Sequence, residues 1–284
     1  MELSLVAAIL GRLDVDPAQL TILAGRDGRI VCQVSRDEGD LVAKVSDQVN
    51  DFGEEARAME TLARMGIPVS QVVLLEAGPP AMLVSRWVDG EPVSADSGAE
   101  VWREVGRILR RIHNVAAKGP YSSHPTILAW IKHWYGLVMA WWSETGGLDP
   151  LSWNVADGWM AAVSQVLSGR EGCLMLFDGR PEHFLVGPDG QVRLIDVADL
   201  QPGEAAMDLA VLELDAPGIL PAVLDGYEAT AEEHEVFGVL VPFLVFLRAL
   251  SGAEWQGRML DNAEESARYL AKGSAMLRDR GELH

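Results

Sequence analysis

Cysteine is scarce: Cys32 and Cys173 are the only two. They stand far apart with no partner at metal-ligand spacing, which excludes a cysteine metal cluster and reads as two buried thiols in a reducing cytoplasm. Histidine is nearly as scarce, with six residues that do not cluster, so a zinc site is not expected. Basic residues are in deficit, 23 Lys and Arg against 42 Asp and Glu, a formal net charge of −19. That balance excludes a nucleic-acid binder, which needs a basic footprint. It suits a cationic substrate, whose local concentration an acidic field raises, and equally a surface made acidic only for solubility. Apolar runs long enough to span a bilayer are not evident, so no membrane association is expected. Residues 1–16 carry no basic leader and no convincing cleavage site, and read as a helix rather than an export signal. What remains is a chain of 284 residues, 49% hydrophobic, sufficient for one large or two small domains with a core.

The informative stretch is 174–210, LMLFDGRPEHFLVGPDGQVRLIDVADLQPGEAAMDLA. LMLF reads as a short buried strand, FLV and VRLID as two more, and GPDG as the turn between them. Two acids, Asp178 and Asp196, therefore sit at strand ends on either side of a hairpin, with His183 five residues after Asp178. Such a pair suits phosphoryl transfer: one carboxylate orients a hydroxyl nucleophile, the other holds a divalent ion on nucleotide phosphates, and a side chain beside the hairpin completes the metal shell. Two solvated hairpin acids would satisfy the same spacing.

This stretch resembles the catalytic core of the aminoglycoside phosphotransferase/choline kinase-like superfamily, relatives of the protein kinases. The family pattern is His-Gly-Asp, an Asn five residues on, a hairpin ending in Ile-Asp, then Gly-Asp and Asp-Leu. Asp178 falls on the catalytic Asp, His183 on the Asn, Asp196 on the metal-binding Asp, Gly203-Glu204 on Gly-Asp, and Asp208-Leu209-Ala210 on Asp-Leu-Ala. The resemblance implies that Asp178 is catalytic, that His183 and Asp196 are metal ligands, and that Asp208 braces the catalytic loop. Two departures stand out. Leu176-Phe177 replaces His-Gly, so the loop needs another means of support. His183 puts an imidazole nitrogen where Mg2+ prefers oxygen and Mn2+ is more tolerant.

In the first part of the chain, residues 2–13 read as a helix. LTILAG (20–25), IVCQVS (30–35) and LVAKVSD (41–47) read as three antiparallel strands. The resemblance places the turn 26–29 over the nucleotide phosphates. Lys44 lies among apolar strand residues, where a lysine is costly to bury unless paired. Residues 51–69 read as a helix ended by Gly66 and Pro68. The family register makes Glu55, rather than the surface acids Glu54 and Glu60, the partner that sets Lys44 on the α/β-phosphates. The change from the apolar AMLVS to the polar stretch after Val88 reads as a domain boundary. By resemblance it is a hinge, with Val84 at the back of a nucleotide pocket and the backbones of Ser85 and Trp87 meeting the base.

Residues 99–117 and 154–168 read as amphipathic helices. Between them lie Trp130, Trp134, Trp141 and Trp142, near one helical face at 130, 134, 137, 138 and 141. Core packing explains this stripe better than an aromatic wall for a ring-bearing or cationic substrate. His113 reads as structural. After 210, helices are expected on either side of Pro217-Gly218 and of Glu232–Glu235, and Asp225-Gly226-Tyr227 resembles the family's Gly-Tyr. Glu254, Asp261, Glu264 and Glu265 lie where aminoglycoside kinases bind substrate amines, or else form a solvated helix face.

The resemblance implies a bilobal, protein-kinase-like α+β fold, with a small antiparallel sheet lobe over 1–88 and a mainly helical catalytic lobe over 89–284. It also implies γ-phosphoryl transfer from ATP or GTP, with Mg2+ or Mn2+, to a hydroxyl of a small molecule such as an aminoglycoside, another antibiotic or a related metabolite. The two departures leave open a nucleotide-binding pseudokinase acting as a scaffold or regulator.

Overall fold

A computed structural model describes residues 2–26, 28–49, 51–145 and 150–282. Asp27, in the expected turn 26–29, lies outside the described residues. The helices are α1 (Glu2–Leu13), α2 (Gly53–Arg64), α3 (Ala99–His113), α4 (Ile127–Glu144), α5 (Pro150–Leu167), α6 (Ala206–Asp215), α7 (Leu220–Tyr227), α8 (Ala231–Arg258) and α9 (Ala263–Glu282). The strands are β1 (Leu20–Arg26), β2 (Arg29–Val34), β3 (Leu41–Ser46), β4 (Val72–Glu76), β5 (Ala81–Arg86), β6 (Glu91–Pro92), β7 (Cys173–Met175), β8 (Phe184–Val186), β9 (Val192–Leu194) and β10 (Gln201–Gly203). The chain packs into two compact units, Met1–Ser94 with Glu182–Leu200, and Ala95–Pro181 with Gln201–His284.

The first unit is built on an antiparallel sheet of order β1-β2-β3-β5-β4. The strand period of two sends alternate residues of β3 to opposite faces. Ala43 and Val45 pack with Cys32, Met82 and Val84 beneath Leu5 and Ile9 of α1. Lys44, paired in register with Leu83, takes the other face, toward α2. Val84 therefore does not line a nucleotide pocket on the Lys44 face, as the family register suggested. Ser85 shares the Lys44 face, being paired with Val42. Helix α2 ends where Gly66 adopts φ +72 and the Ile67 amide returns to the Leu62 carbonyl, a left-handed cap that glycine adopts without steric cost. The β8–β9 hairpin joins this unit in a sheet of order β6-β8-β9, and the Ile195 amide donates to the His183 carbonyl.

In the second unit α8 is one helix of 28 residues. Glu232–Glu235 is its first turn rather than a break: the Thr230 side chain accepts from the Glu233 amide and Glu233 accepts from the Thr230 amide, a capping box. Its length and apolarity would suffice to cross a bilayer, contrary to expectation, yet most of its most apolar window is buried within the protein. Phe243 and Phe246 pack on Trp159, with ring centroids at 5.6 and 5.5 Å, and Trp142 lies 6.4 Å from Phe246. Each such ring contributes about 1.5–3 kcal/mol by burial. The buried face of α4 runs through Ile127, Trp130, Ile131, Tyr135, Val138 and Trp142, while Leu137 is exposed. Of the expected stripe, Trp130, Val138 and Trp141 are buried and Trp134 is half-buried, so core packing holds for the stripe except at Leu137. Helices α3 and α7 cross at glycines. A Cβ on Gly106 would come within 2.1 Å of the Val223 carbonyl, and one on Gly226 within 2.0 Å of the Arg103 carbonyl. That close crossing brings Tyr227 to His113.

Candidate active site

In the first unit Lys44 is held between two carboxylates. Its Nζ lies 2.6 Å from Glu55 Oε1 and 3.1 Å from Asp196 Oδ1. Burial pulls the lysine pKa down, but Glu55 and Asp196 together raise it above the ordinary value, so the ammonium is retained. Burial raises the Glu55 pKa. Lys44 opposes this and Asp196 and Asp199 add to it, leaving the carboxyl above its ordinary range. At Asp196 burial again acts upward, but Lys44 and His183 outweigh it and the pKa falls. Glu55 over Glu54 as the partner was the family register's choice, and the geometry agrees: Glu54 pairs instead with Arg57 on the helix surface.

Asp196 sits just past β9 with φ +54, a left-handed conformation that Asp tolerates better than most residues. While Oδ1 meets Lys44, its Oδ2 lies 3.9 Å from His183 Nε2. One cation could reach both groups. Among the described residues no group of three or more His, Cys, Asp or Glu is placed to hold a metal. A two-donor set fits an ion that takes the rest of its shell from phosphate oxygens and water, as Mg2+ does, and the imidazole nitrogen moves the preference toward Mn2+.

Ser85 is buried within β5, which is paired on both sides. The Trp87 amide donates to the Asp40 carbonyl at 2.9 Å, so a base contacting Trp87 would use its carbonyl or displace that bond. Trp87 also borders a cavity of about 480 Å³ together with Gln71, Arg86, Asp89 and Arg193.

In the second unit Asp178 follows β7, and the two residues before it are pinned from below. Asp208, fully buried at the start of α6, accepts from the Leu176 amide at Oδ2 and the Phe177 amide at Oδ1, both at 2.8 Å. His113 Nε2 lies 3.0 Å from Asp208 Oδ2, and its Nδ1 3.1 Å from the Tyr227 hydroxyl. With Asp208 as acceptor, Nε2 carries the proton and Nδ1 accepts from Tyr227. Burial raises the Tyr227 pKa, which keeps the phenol a donor. His113 is thus structural, as its place at a helix end suggested. Glu204 is a buried partner of Arg170 at 2.9 Å. Burial raises the pKa of both thiols, at Cys173 up to about 12, which disfavours the thiolate.

Two arginines escaped the sequence reading. Arg180 Nε lies 3.2 and 3.3 Å from the two oxygens of Asp178. Arg248, on α8, donates to the Phe177 carbonyl and lies 4.2 Å over the Phe177 ring and 5.5 Å from that of Trp134. The visible signal was an arginine inside the apolar run VPFLVFLRAL, a charge too costly to bury without a task. Phe177 itself has φ +66, a conformation that costs a bulky residue about 1–3 kcal/mol. Of the tail acids, Glu254 pairs with Arg258 and Glu265 with Arg268 within their own helices.

An antiparallel five-stranded sheet carrying a paired lysine, followed by a mainly helical part, is the α+β architecture of kinase-like small-molecule phosphotransferases. The chain belongs to the phosphotransferase enzyme family, whose sequence profile matches residues 20–239. Comparison with curated protein sequences finds no match. Among solved structures, macrolide 2'-phosphotransferase MphH from Brachybacterium faecium superposes with a TM-score of 0.69 at 17% identity, covering 95% of this chain and 98% of that one. The ethanolamine kinase of Plasmodium vivax gives 0.67 at 14% identity, over 96% and 89%. Spectinomycin phosphotransferase APH(9)-Ia, in complex with ADP and spectinomycin, gives 0.63 at 12% identity, over 92% of each chain.

Proposed function

We propose that the protein transfers the γ-phosphoryl group of ATP or GTP to a hydroxyl of a small molecule. The observation that carries this reading is Lys44 clamped between Glu55 and Asp196. A lysine fixed in this way presents its charge to the α/β-phosphates with little reorganisation. Asp178 takes the proton of the acceptor hydroxyl. The oxygen attacks the γ-phosphorus in line, the bond to the bridging oxygen breaks, and the nucleoside diphosphate leaves. His183 and Asp196 would hold the divalent ion, which supplies neutralisation of phosphate charge. The backbone at Ser85 and Trp87 would meet the base, at Trp87 through its carbonyl while the amide stays on Asp40.

Acceptors in this family's solved relatives include, by name, an antibiotic and an amino alcohol, so an aminoglycoside, another antibiotic or a related metabolite is the class to search. Pairing of Glu254 and Glu265 with neighbouring arginines weakens the case for these acids as an amine-binding surface. A second reading, a nucleotide-binding pseudokinase, draws on Arg180 lying against the Asp178 carboxylate. The test is a phosphoryl-transfer screen over antibiotics and metabolites with ATP and GTP, run beside Asp178→Asn. Acceptor-dependent release of nucleoside diphosphate that Asp178→Asn abolishes, with nucleotide affinity retained, supports the transferase. Nucleotide binding with neither transfer nor slow hydrolysis supports the pseudokinase.

A further inference from the structure

The catalytic loop lacks the His-Gly that precedes the catalytic Asp in the family pattern, and the structure shows what stands in its place. Phe177 is gripped at three points. Its amide is held by Asp208, its carbonyl by the Arg248 guanidinium, and its ring lies under that guanidinium with Trp130 5.6 Å and Trp134 6.5 Å away. The carbonyl is half of the peptide group that leads into Asp178, so whatever fixes it fixes where the Asp178 carboxylate points. We propose that Arg248 is a positioning residue of the transfer reaction: it locks the Phe177–Asp178 peptide and so aims Asp178. The role ascribed to the transfer step rests on the function proposed above.

Arg248 is badly placed for any purely packing role. Its Nε is buried without a hydrogen-bond partner, in an otherwise apolar stretch of α8. A leucine or methionine would fill that space without a charge to desolvate. Burial draws the Arg248 pKa down; Asp178, Asp208 and Asp215 act against this and the neighbouring Arg180 cation adds to it, and the net shift is downward. A side chain kept at such cost and bonded to the peptide next to the catalytic carboxylate is better explained by geometry than by stability. The flat guanidinium is also the one cationic group that can donate to a carbonyl while stacking on the ring of the same residue.

The experiment combines Arg248→Met, Arg248→Lys and Phe177→Gly. A crystal structure of Arg248→Met is expected to show the Phe177–Asp178 peptide reoriented and Phe177 out of the positive-φ region. Turnover should fall about 100-fold, the scale of an ångström-sized misplacement, with KM for nucleotide and acceptor within about twofold of the parent. Arg248→Lys, which keeps charge and a donor, should recover part of kcat. Glycine needs no clamp at positive φ, so in the Phe177→Gly background Arg248→Met should cost less than about tenfold. An unchanged Phe177 conformation in Arg248→Met, or kcat losses in the two backgrounds that simply multiply, would overturn the proposal. So would a raised acceptor KM with kcat intact, which would make Arg248 a substrate ligand. If Asp178→Asn leaves turnover unaltered, the transfer mechanism falls, while the Arg248→Met structure still decides whether Arg248 holds the peptide.

Discussion

Asp208→Asn is the most exacting test of how the loop that carries Asp178 is held. The parent carboxylate is fully buried and accepts three hydrogen bonds: from the Leu176 amide at 2.8 Å, the Phe177 amide at 2.8 Å and His113 at 3.0 Å. Asparagine keeps the shape but offers one acceptor oxygen and turns a donor NH2 toward whatever faced the other. If the oxygen keeps Leu176 and His113, the Phe177 amide is left facing a donor. A buried polar group deprived of its partner costs about 1–3 kcal/mol, and the two remaining bonds also lose their charge assistance. We expect a loss of about 2–4 kcal/mol. At about 2–4 °C per kcal/mol for a chain of this size, the melting temperature should drop by about 5–15 °C. Asp208→Ala orphans all three donors and should cost more, although a water entering the vacated space would recover part of it. Tyr227→Phe removes only the far end of the relay and should cost about 1 kcal/mol. Urea titration followed by far-UV circular dichroism, with a thermal scan, measures all three. An Asp208→Asn protein that melts within about 1 °C of the parent, or a Tyr227→Phe protein that loses as much as Asp208→Asn, would refute the account of the loop as hung from this carboxylate.

Lys44→Ala should lower turnover about 10²–10³-fold while costing only about 1–2 kcal/mol of stability, because Glu55, already raised by burial, can take up a proton instead. A raised carboxyl pKa in the folded state means that stability falls as pH rises from the ordinary Glu value through the folded one. The Lys44→Ala deficit should therefore shrink on acidification, and a deficit that grows would contradict the assignment. His183→Asn should lower the ratio of Mn2+-supported to Mg2+-supported turnover, since it exchanges nitrogen for oxygen; an unchanged ratio would remove His183 from the metal shell. The Arg110 hydrogen bonds hold Glu233 at about 2, so its contribution is present above the ordinary Glu value and is lost as pH falls toward 2. The full shift corresponds to about 3 kcal/mol, and solvent screening at this half-buried site reduces it to about 1–2. Glu233→Gln should accordingly be less stable than the parent at neutral pH and converge with it in acid, as denaturation at several pH values would show.

Short-range patterns were enough to reveal much of this protein. The strands around Lys44 and the β8–β9 hairpin alternate or turn sharply, and the C-terminal end of α2 is written in Gly66 and Pro68. The order and spacing from Asp178 to Asp208 located the acids before any geometry was known. The pairing of Lys44 with Glu55 followed from the resemblance to the family, whose register along α2 singles out Glu55. Other features depended on contacts that no local pattern records. Strand β5 is buried on both faces, so AMLVS carries no alternation from which to tell that Val84 turns to α1 and Ser85 to the Lys44 side. The start of α8 hung on Thr230 and Glu233 capping each other, which made a charged cluster a beginning where composition suggested a break. Arg248 lies 71 residues from Phe177 in the chain, and only the packing of α8 in the second unit brings its guanidinium to that carbonyl. Local sequence selects strands, turns and helix ends because their energies are set within a few residues; the phase of a doubly buried strand and the partner of a buried charge are decided by whatever the rest of the chain places beside them.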